Sequence, residues 1–261
     1  MAPDSGANRL VDFGWTVLAS AELIGLETLS IIVPCYNEED GIPNLVASLE
    51  PVRQKLAERY QVELILVDDG SRDNTVTLIQ NMYAGDVCAR VVRHPRNLGL
   101  GAAVRTGFDT VQSDVVVTMD SDCTYPPDQI PALLGLLSAG ADVVTASPYH
   151  PRGQVIGVPA YRLFLSKSLS RIYQVILGTN IYTFTALFRA YRQPVVKTIH
   201  FESNGFLAMA EILIGALRAG YTVAEFPTAL HVRRYGVSKI KVWNTIKEHL
   251  GLIVKLLRGK M

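Results

Sequence analysis

Five short apolar runs, separated by stretches with helical spacing, constrain the fold of this chain more than any other feature. The runs are rich in β-branched residues and cover 28–34, 62–67, 87–92, 114–119 and 141–146. Apolar residues recur at helical spacing in 42–60, 75–83, 101–111 and 130–138. This alternation predicts an α/β fold with a mainly parallel sheet flanked by helices, because parallel strands need crossover connections and are buried on both faces. Pro51 is expected to kink or split the first helix.

The second half of the chain has a different organisation. Residues 148–160 are rich in proline and glycine and are interpreted as a loop. Beyond them we predict helices at 161–178 and 205–220, a strand at 221–226, a loop at 231–239 and a helix at 241–257. The expected organisation is a lead-in at 1–27, one domain at 28–240 with halves 28–147 and 148–240, and a terminal helix at 241–261.

Composition excludes several classes of protein. The 25 Lys and Arg residues nearly balance the 24 Asp and Glu residues, so charge gives no reason to expect nucleic acid binding. Three irregularly spaced cysteines form neither a disulfide framework nor a zinc motif, and we interpret them as reduced, packed thiols of a cytoplasmic protein. The N-terminus shows no signal peptide, and the longest uncharged run, 172–188, is too short and polar to span a membrane.

Three acidic clusters follow predicted strands. They are Pro34 to Glu39 after the first strand, Asp68 to Ser71 after the second and Asp120 to Asp122 after the fourth. Ligands of open α/β sheets bind beyond the carboxyl ends of the strands, and all three clusters are expected at that edge. Turn formation explains one such cluster easily but three of them poorly.

The triplet Asp120-Ser121-Asp122 is the most specific of these clusters. In an extended DxD triplet both carboxylates project to the same side. Hard divalent cations such as Mg²⁺ or Mn²⁺ prefer oxygen ligands and often bridge carboxylates to substrate phosphates. A cation held there would neutralise a leaving nucleoside diphosphate.

The segments IIVPCYNEE, ILVDDGSRDNT, HPRNLGLGAAVRTGF and MDSDCTYPPDQI occur in the order and spacing of the family 2 glycosyltransferases, which the chain resembles. In the second half, SNGFLAMAEILIGALRAGY followed by VRRYGVSK resembles the dolichol-phosphate mannose synthase group and its bacterial polyprenyl-phosphate relatives. The resemblance covers roughly residues 28–240. It implies a GT-A (Rossmann-like) fold, with a nucleotide-sugar half and then an acceptor half.

The resemblance assigns roles to particular residues. Those expected to bind the nucleotide sugar are Pro34, Tyr36, Glu38, Val67, Asp69, Asp120, Ser121, Asp122 and Arg233. Asp120 and Asp122 match the metal-binding DxD, with Asp122 as the direct ligand. Thr124 stands where relatives often carry a glutamine ligand, and the shorter side chain puts this third metal position in doubt.

Arg233 and Lys239 belong to a loop of the form RxxGxSK, which the resemblance places over the donor diphosphate together with Ser238. Such a loop would stabilise charge on the leaving group and exclude water. A phosphate acceptor is already anionic and needs positive charge rather than a base. Basic residues of 152–189 are candidates for that task, and Arg162 is the first choice.

The terminal helix combines an apolar stripe with several lysines, which is typical both of membrane-surface helices and of helices that pack on their own domain. The sequence thus predicts an inverting, Mg²⁺- or Mn²⁺-dependent transfer of a hexose to a polyprenyl or dolichyl phosphate by a peripheral protein at the membrane surface. By default the sugar is mannose from GDP-mannose, although a UDP-sugar donor stays open. One alternative is a hydroxyl acceptor with Glu211 as general base, and another is a non-catalytic nucleotide-sugar-binding scaffold.

Overall fold

A computed structural model describes residues 25–231 and 242–259, without the side chains of Arg162, Val242 and Trp243. The first half contains strands β1 (Glu27–Cys35), β2 (Tyr60–Asp68), β3 (Ala89–Arg93), β4 (Val115–Thr118) and β5 (Val143–Ser147). Its helices are α1 (Ile42–Leu56), α2 (Thr75–Met82), α3 (Leu100–Thr110) and α4 (Ile130–Ser138). The predicted α/β alternation is therefore confirmed.

Pro51 does not split the first helix, contrary to the prediction. Helix α1 runs unbroken from Ile42 to Leu56 with Pro51 inside it. The helix stays continuous because its apolar face packs against the sheet. The buried residues of this face include Leu45, Leu49, Val52 and Leu56.

The second half contains strands β6 (Gln154–Ile156), β7 (Arg189–Arg192), β8 (Val223–Pro227) and β9 (Ala229–His231). The helices of this half are α5 (Ala160–Leu177), α6 (Gln193–Thr198), α7 (Leu207–Arg218) and α8 (Val242–Leu257). Strand β6 lies within the predicted 148–160 loop and pairs in parallel with β9 to form a small second sheet. Strands β7 and β9 and helix α6 were not predicted.

The main sheet has seven strands in the order β3-β2-β1-β4-β7-β5-β8. All neighbours are parallel except that β7 runs antiparallel between β4 and β5. The carboxyl ends of β2, β1, β4, β5 and β8 consequently share one rim with the residues that precede β7. This rim brings together the acidic clusters of the first half and the polar residues of the second.

Helices cover both faces of the sheet. Alternate residues of β1 point to opposite faces: Leu29, Ile31 and Val33 join one apolar cluster, and Ile32 joins the other. Each such fully buried side chain contributes about 1.5–3 kcal/mol of hydrophobic stabilisation. The helices α1, α2 and α4 pack on the first cluster's side, and residues of α3, α7 and α8 belong to the other cluster.

Within the part of the chain that is described, no helix is both long enough and apolar enough to cross a bilayer. The three cysteines are free thiols: Cys35 is buried, Cys123 is half-buried and Cys88 is exposed. The expectation of packed thiols is therefore wrong for Cys88.

Candidate active site

The ends of β1 and β2 are joined by side chains that accept backbone hydrogen bonds. Asn37 has a left-handed backbone with φ 50°, which redirects the chain after β1. Its amide donates to Ser71 Oγ at 2.9 Å, and the Arg72 amide donates to Asn37 Oδ1 at 2.8 Å. The Glu38 amide donates to Thr75 Oγ1 at 2.7 Å. These contacts hold the first two acidic clusters against one another at the rim.

The predicted nucleotide-binding residues of this region differ in accessibility. Pro34 and Val67 are opposite each other in the paired strands β1 and β2, and both are buried. Glu38 is also buried, whereas Tyr36 is half-buried. Val67 belongs to the apolar core, so a nucleotide would meet its backbone rather than its side chain.

The Asp69 carboxylate, which is 3% exposed, accepts four hydrogen bonds from the loop that follows β3. Oδ1 accepts from the Leu98 amide at 2.8 Å and lies 2.8 Å from His94 Nδ1. Oδ2 accepts from Asn97 Nδ2 at 2.7 Å and from the Gly99 amide at 2.8 Å. A carboxylate offers about four acceptor positions, and all are used here. Residues 94–101, hereafter the glycine loop, are thereby fixed to the end of β2.

His94 completes this arrangement and was not singled out from the sequence. An ionised carboxylate only accepts, so His94 Nδ1 carries the proton, and Nε2 lies 2.9 Å from Thr106 Oγ1. The neighbouring Asp68 is fully buried, accepts from the Ser71 amide at 3.2 Å and pairs with Arg93 at 3.2 Å. The histidine at the start of HPRN, just after a strand, was the available sequence signal.

The DxD triplet forms a tight turn directly after β4. The Met119 amide donates to Ile32 O at 3.0 Å and continues the pairing with β1 up to the triplet. The Thr124 amide donates to Asp122 Oδ1 at 3.0 Å, and Cys123 has a left-handed φ of 52°. Ser121 is buried, while Asp120 and Asp122 are partly exposed at the rim. The triplet thus lies just beyond the carboxyl end of β4, as predicted, but it forms a turn rather than the extended segment that the pattern indicates.

Local electrostatics show concentrated negative charge at this turn. Burial and then the Asp122 and Asp120 carboxylates raise the pKa of the Cys123 thiol to about 12. Burial and then Asp120 raise the pKa of Tyr125 well above its ordinary value. Both groups therefore stay protonated at neutral pH, and the turn favours a bound cation.

The donor atoms at the turn suit a hard divalent cation, because carboxylate oxygens are what Mg²⁺ and Mn²⁺ prefer. Among the described residues, no group of three or more His, Cys, Asp or Glu side chains could form a complete metal cage. Asp120 and Asp122 are the residues of this turn that would offer carboxylate oxygens to such an ion. Thr124 adjoins Asp122 through its amide, and its carbonyl accepts from the His231 amide at 3.2 Å. A ligand role for the Thr124 hydroxyl stays a prediction.

A second polar cluster lies at the ends of β5 and β8. Ser147 Oγ is 2.9 Å from Thr183 Oγ1, and Glu225 Oε1 accepts from the amides of Tyr182 and Thr183 at 2.9 and 3.0 Å. Burial raises the pKa of Glu225. The cluster fixes residues 181–184, which precede β7, on the side of the rim away from β2.

The basic candidates for an acceptor phosphate are placed differently from one another. Arg189 was one of these candidates, but it is fully buried on β7 and donates to the carbonyls of Met209 and Phe184, each at 2.7 Å. Lys167 and Arg171 are exposed on α5. Arg162 lies in the first turn of α5, and its side chain is outside the described part. Arg233, Ser238 and Lys239 also lie outside the described residues, so their positions stay predictions.

Glu211, the alternative base, lies on α7 and is 9% exposed. Its Oε2 accepts from the amides of Glu202 and Ser203 at 3.2 and 2.9 Å. This oxygen is therefore already committed to a backbone segment.

The chain thus combines a mainly parallel sheet with a DxD turn and the acidic clusters of β1 and β2 on one rim. The glycosyl transferase family 2 model matches residues 30–199. The chain belongs to this family and is a glycosyltransferase.

Two curated relatives match most of the chain. A polyprenol monophosphomannose synthase from Mycolicibacterium smegmatis is 33% identical over 88% of this chain and 88% of its own length. A dolichol-phosphate mannosyltransferase from Pyrococcus furiosus is 32% identical over 88% of this chain and 64% of its own length.

Solved structures support the fold. Glucosyl-3-phosphoglycerate synthase from Mycobacterium tuberculosis, in complex with Mn²⁺, UDP and glucosyl-3-phosphoglycerate, has a TM-score of 0.65 at 23% identity. The match covers 98% of this chain and 87% of that one. The similarity confirms the GT-A type of fold for this chain.

Proposed function

We propose that this glycosyltransferase moves a hexose from a nucleotide sugar to a polyprenyl phosphate, with inversion at the anomeric carbon and with a divalent cation at Asp120 and Asp122. The observation that carries the proposal is the DxD turn at the rim of the sheet, in a chain whose helix α5 is both apolar and basic on its exposed surface. The names of the two curated relatives support a polyprenyl phosphate as acceptor and mannose as sugar. GDP-mannose is accordingly our first choice of donor.

The acceptor side of the proposal rests on α5. Lys167 and Arg171 lie on one open face of α5 together with apolar residues of the same helix: Ala160, Leu163, Phe164 and Ile172. The apolar part of this face suits an isoprenoid chain, and the two cations suit its phosphate. Tyr149 hydrogen-bonds to Ser166 of α5, and Tyr125, which follows the DxD turn, lies near both Asp120 and Tyr149.

The chemistry requires no general base. An oxygen of the acceptor phosphate attacks the anomeric carbon, the bond from that carbon to the donor diphosphate breaks, and the nucleoside diphosphate leaves. The phosphate is already ionised at neutral pH, so no proton has to be removed. A bound Mg²⁺ or Mn²⁺ would neutralise charge on the diphosphate. In our proposal Asp120 and Asp122 hold that ion, Arg233 and Lys239 contact the diphosphate, and Arg162 contacts the acceptor phosphate.

The donor pocket is proposed to lie between the ends of β1, β2 and β4. Tyr36 and the backbone at Pro34 and Val67 would flank the nucleoside. Because the four acceptor positions of Asp69 are used within the protein, we infer that Asp69 shapes this pocket by fixing the glycine loop.

We further infer that α5 and α8 meet a lipid surface. Helix α5 exposes Tyr161, Phe164, Leu165, Ile172 and Val175, and α8 exposes Leu250, Val254 and Leu257. The opposite face of α8 is anchored in the core by Leu252 and Leu256. Exposed lysines on both helices would add attraction to anionic lipids. Phe164→Ser and Val175→Ser should weaken sedimentation with phosphatidylglycerol vesicles; binding equal to that of the unchanged protein would contradict this surface.

The reaction is tested by sugar transfer from radiolabelled GDP- and UDP-sugars, with Mn²⁺ or Mg²⁺ and with EDTA. A polyprenyl phosphate and the matching free polyprenol serve as paired acceptors. Metal-dependent label on the phosphate lipid alone is the expected result, and the productive donor identifies the sugar. Transfer to the free alcohol would instead favour the hydroxyl-acceptor alternative. Metal-dependent binding of a nucleotide sugar without transfer to either acceptor would favour a non-catalytic scaffold.

A further inference from the structure

The glycine loop packs so closely against residues 201–205 that side chains are excluded at two positions. Gly99 has φ +105°, and a Cβ on it would lie 2.3 Å from Asn204 O. A Cβ on Gly101 would lie 2.3 Å from Ser203 O, and the Gly101 amide donates to Asn204 O at 2.8 Å. Both contacts involve backbone atoms, so the glycine loop and residues 201–205 are in direct backbone contact.

Arg105 holds residues 201–205 from the side of α3. Its guanidinium donates to Asn204 Oδ1 at 2.9 Å and to the carbonyls of Phe201 and Ser203 at 3.0 and 3.1 Å. It also lies over the Phe201 ring at 4.8 Å. One side chain of α3 thus contacts three residues almost one hundred positions further along the chain.

Glu211 holds the same residues from the side of α7. Its Oε2 accepts the amides of Glu202 and Ser203, and these two amides precede the carbonyls that contact the glycine loop. Arg105 therefore binds oxygens of residues 201–204, while Glu211 binds their nitrogens. The two charged side chains act on one short segment from opposite directions.

We propose that Arg105 and Glu211 are positioning residues for donor binding, which they serve by fixing residues 201–205 and, through these, the glycine loop. At its other end the glycine loop lies over the turn after β2: a Cβ on Gly70 would be 2.3 Å from the Arg96 carbonyl carbon. Movement of residues 201–205 is thereby transmitted to the edge of the pocket between β1 and β2. This inference rests on the proposed donor site, and it makes Glu211 a structural carboxylate instead of a base.

The test compares substitutions in the whole protein by calorimetric binding of GDP and UDP with Mn²⁺ and by steady-state transfer. Arg105→Met and Glu211→Ala should raise the nucleotide Kd and the donor KM about tenfold, as expected when one hydrogen-bonded charge is lost. The value of kcat should stay within about threefold, because neither residue contacts the reacting atoms. Arg218→Met and Glu58→Ala remove exposed charges elsewhere and serve as matched controls.

Conservative variants separate positioning from catalysis. Glu211→Gln keeps an oxygen for the two amides and should restore most of the donor affinity. A general base would behave differently, since its amide variant would lose about 100-fold or more in kcat at unchanged nucleotide Kd. That second pattern would overturn the proposal.

A milder variant covers the case in which Arg105→Met or Glu211→Ala fails to fold. Asn204 is exposed, and Asn204→Ala removes one acceptor of Arg105, so the nucleotide Kd should rise about threefold. An unchanged nucleotide Kd in Asn204→Ala would refute the positioning role. Failure of the unsubstituted protein to bind any nucleoside diphosphate would instead refute the proposed function on which the inference rests.

Discussion

Replacing Asp69 by asparagine should destabilise the protein even though the two side chains have nearly the same shape. The carboxylate is buried and receives four donors: His94 Nδ1, Asn97 Nδ2 and the amides of Leu98 and Gly99. An asparagine offers one oxygen to these donors and turns an NH₂ group towards the others. Whichever way this amide is oriented, the backbone amide of Leu98 or of Gly99 loses its acceptor, and His94 or Asn97 keeps a bond only by exchanging its donor for its acceptor.

The magnitude follows from the one lost bond and from the weakening of the other three, which no longer join a charged acceptor. A buried hydrogen bond to a charged group contributes about 1.5–3 kcal/mol and a neutral one about 0.5–1.5 kcal/mol, so Asp69→Asn should lower the free energy of unfolding by about 3–6 kcal/mol. For a chain of this size, each kcal/mol shifts the melting temperature by about 2–4 °C. A central expectation is a fall of about 10–15 °C.

The assay is thermal unfolding followed by circular dichroism, with Asp109→Asn on the exposed surface of α3 as the control. Nucleotide binding is then measured well below the melting temperature of the variant. We expect the nucleotide Kd to rise as well, because the glycine loop loses its attachment to β2. A control that melts like the variant would show that any lost charge has the same effect.

A melting temperature within about 2 °C of the parent protein would refute the reasoning, because about 3 kcal/mol could not be lost unnoticed. Unchanged stability together with abolished nucleotide binding would point to direct contact between Asp69 and the nucleotide. The measurement thus separates the direct contact that the family resemblance implies from the indirect role inferred from the hydrogen bonds.

Three further outcomes are expected. Asp122→Ala should abolish metal-dependent transfer without lowering the melting temperature, since Asp122 is partly exposed; normal turnover would contradict its role as metal ligand. Gly101→Ala should cost about 1–3 kcal/mol of stability because its Cβ would meet Ser203 O at 2.3 Å, whereas Gly135→Ala on α4 has open space and should be neutral or stabilising. Burial lowers the pKa of His249 from 6.5 to about 4, so the unfolded chain binds more protons between these values and stability falls as the pH falls through this window. Between pH 7.5 and 5 this histidine should contribute a loss of about 2 kcal/mol that is absent in His249→Gln, and equal pH slopes in both proteins would contradict the assignment.

Local pattern predicts much of the first half of this protein. Strand β1 and helix α4 lie where the spacing of apolar residues and the turn residues predict them. A strand buried on both faces needs a continuous apolar run, and a helix needs an apolar stripe. The DxD turn is equally predictable, since two carboxylates directly after a buried strand must emerge at its carboxyl end. These features depend on residues that are neighbours in sequence.

Long-range pairing decided the features that the sequence did not reveal. The short strand β7 contains two arginines, so its sequence does not predict a buried strand. It nevertheless pairs with β4 and β5 on its two sides, and Arg189 donates hydrogen bonds to the carbonyls of Phe184 and Met209. Pro51 would break an isolated helix, but packing of the buried face of α1 holds it continuous.

The same distinction applies within the candidate site. The residue types at the ends of β1, β2 and β4 can be predicted from the sequence, because strand direction alone places them on the rim. The role of each carboxylate there depends on contacts that form only in the folded protein. Asp69 is saturated by donors 25 to 30 positions away, and Glu211 is engaged by amides that a loop folds back onto it. A carboxylate becomes a ligand-binding group or a structural acceptor according to the donors that the fold brings to it, and no local pattern encodes those donors.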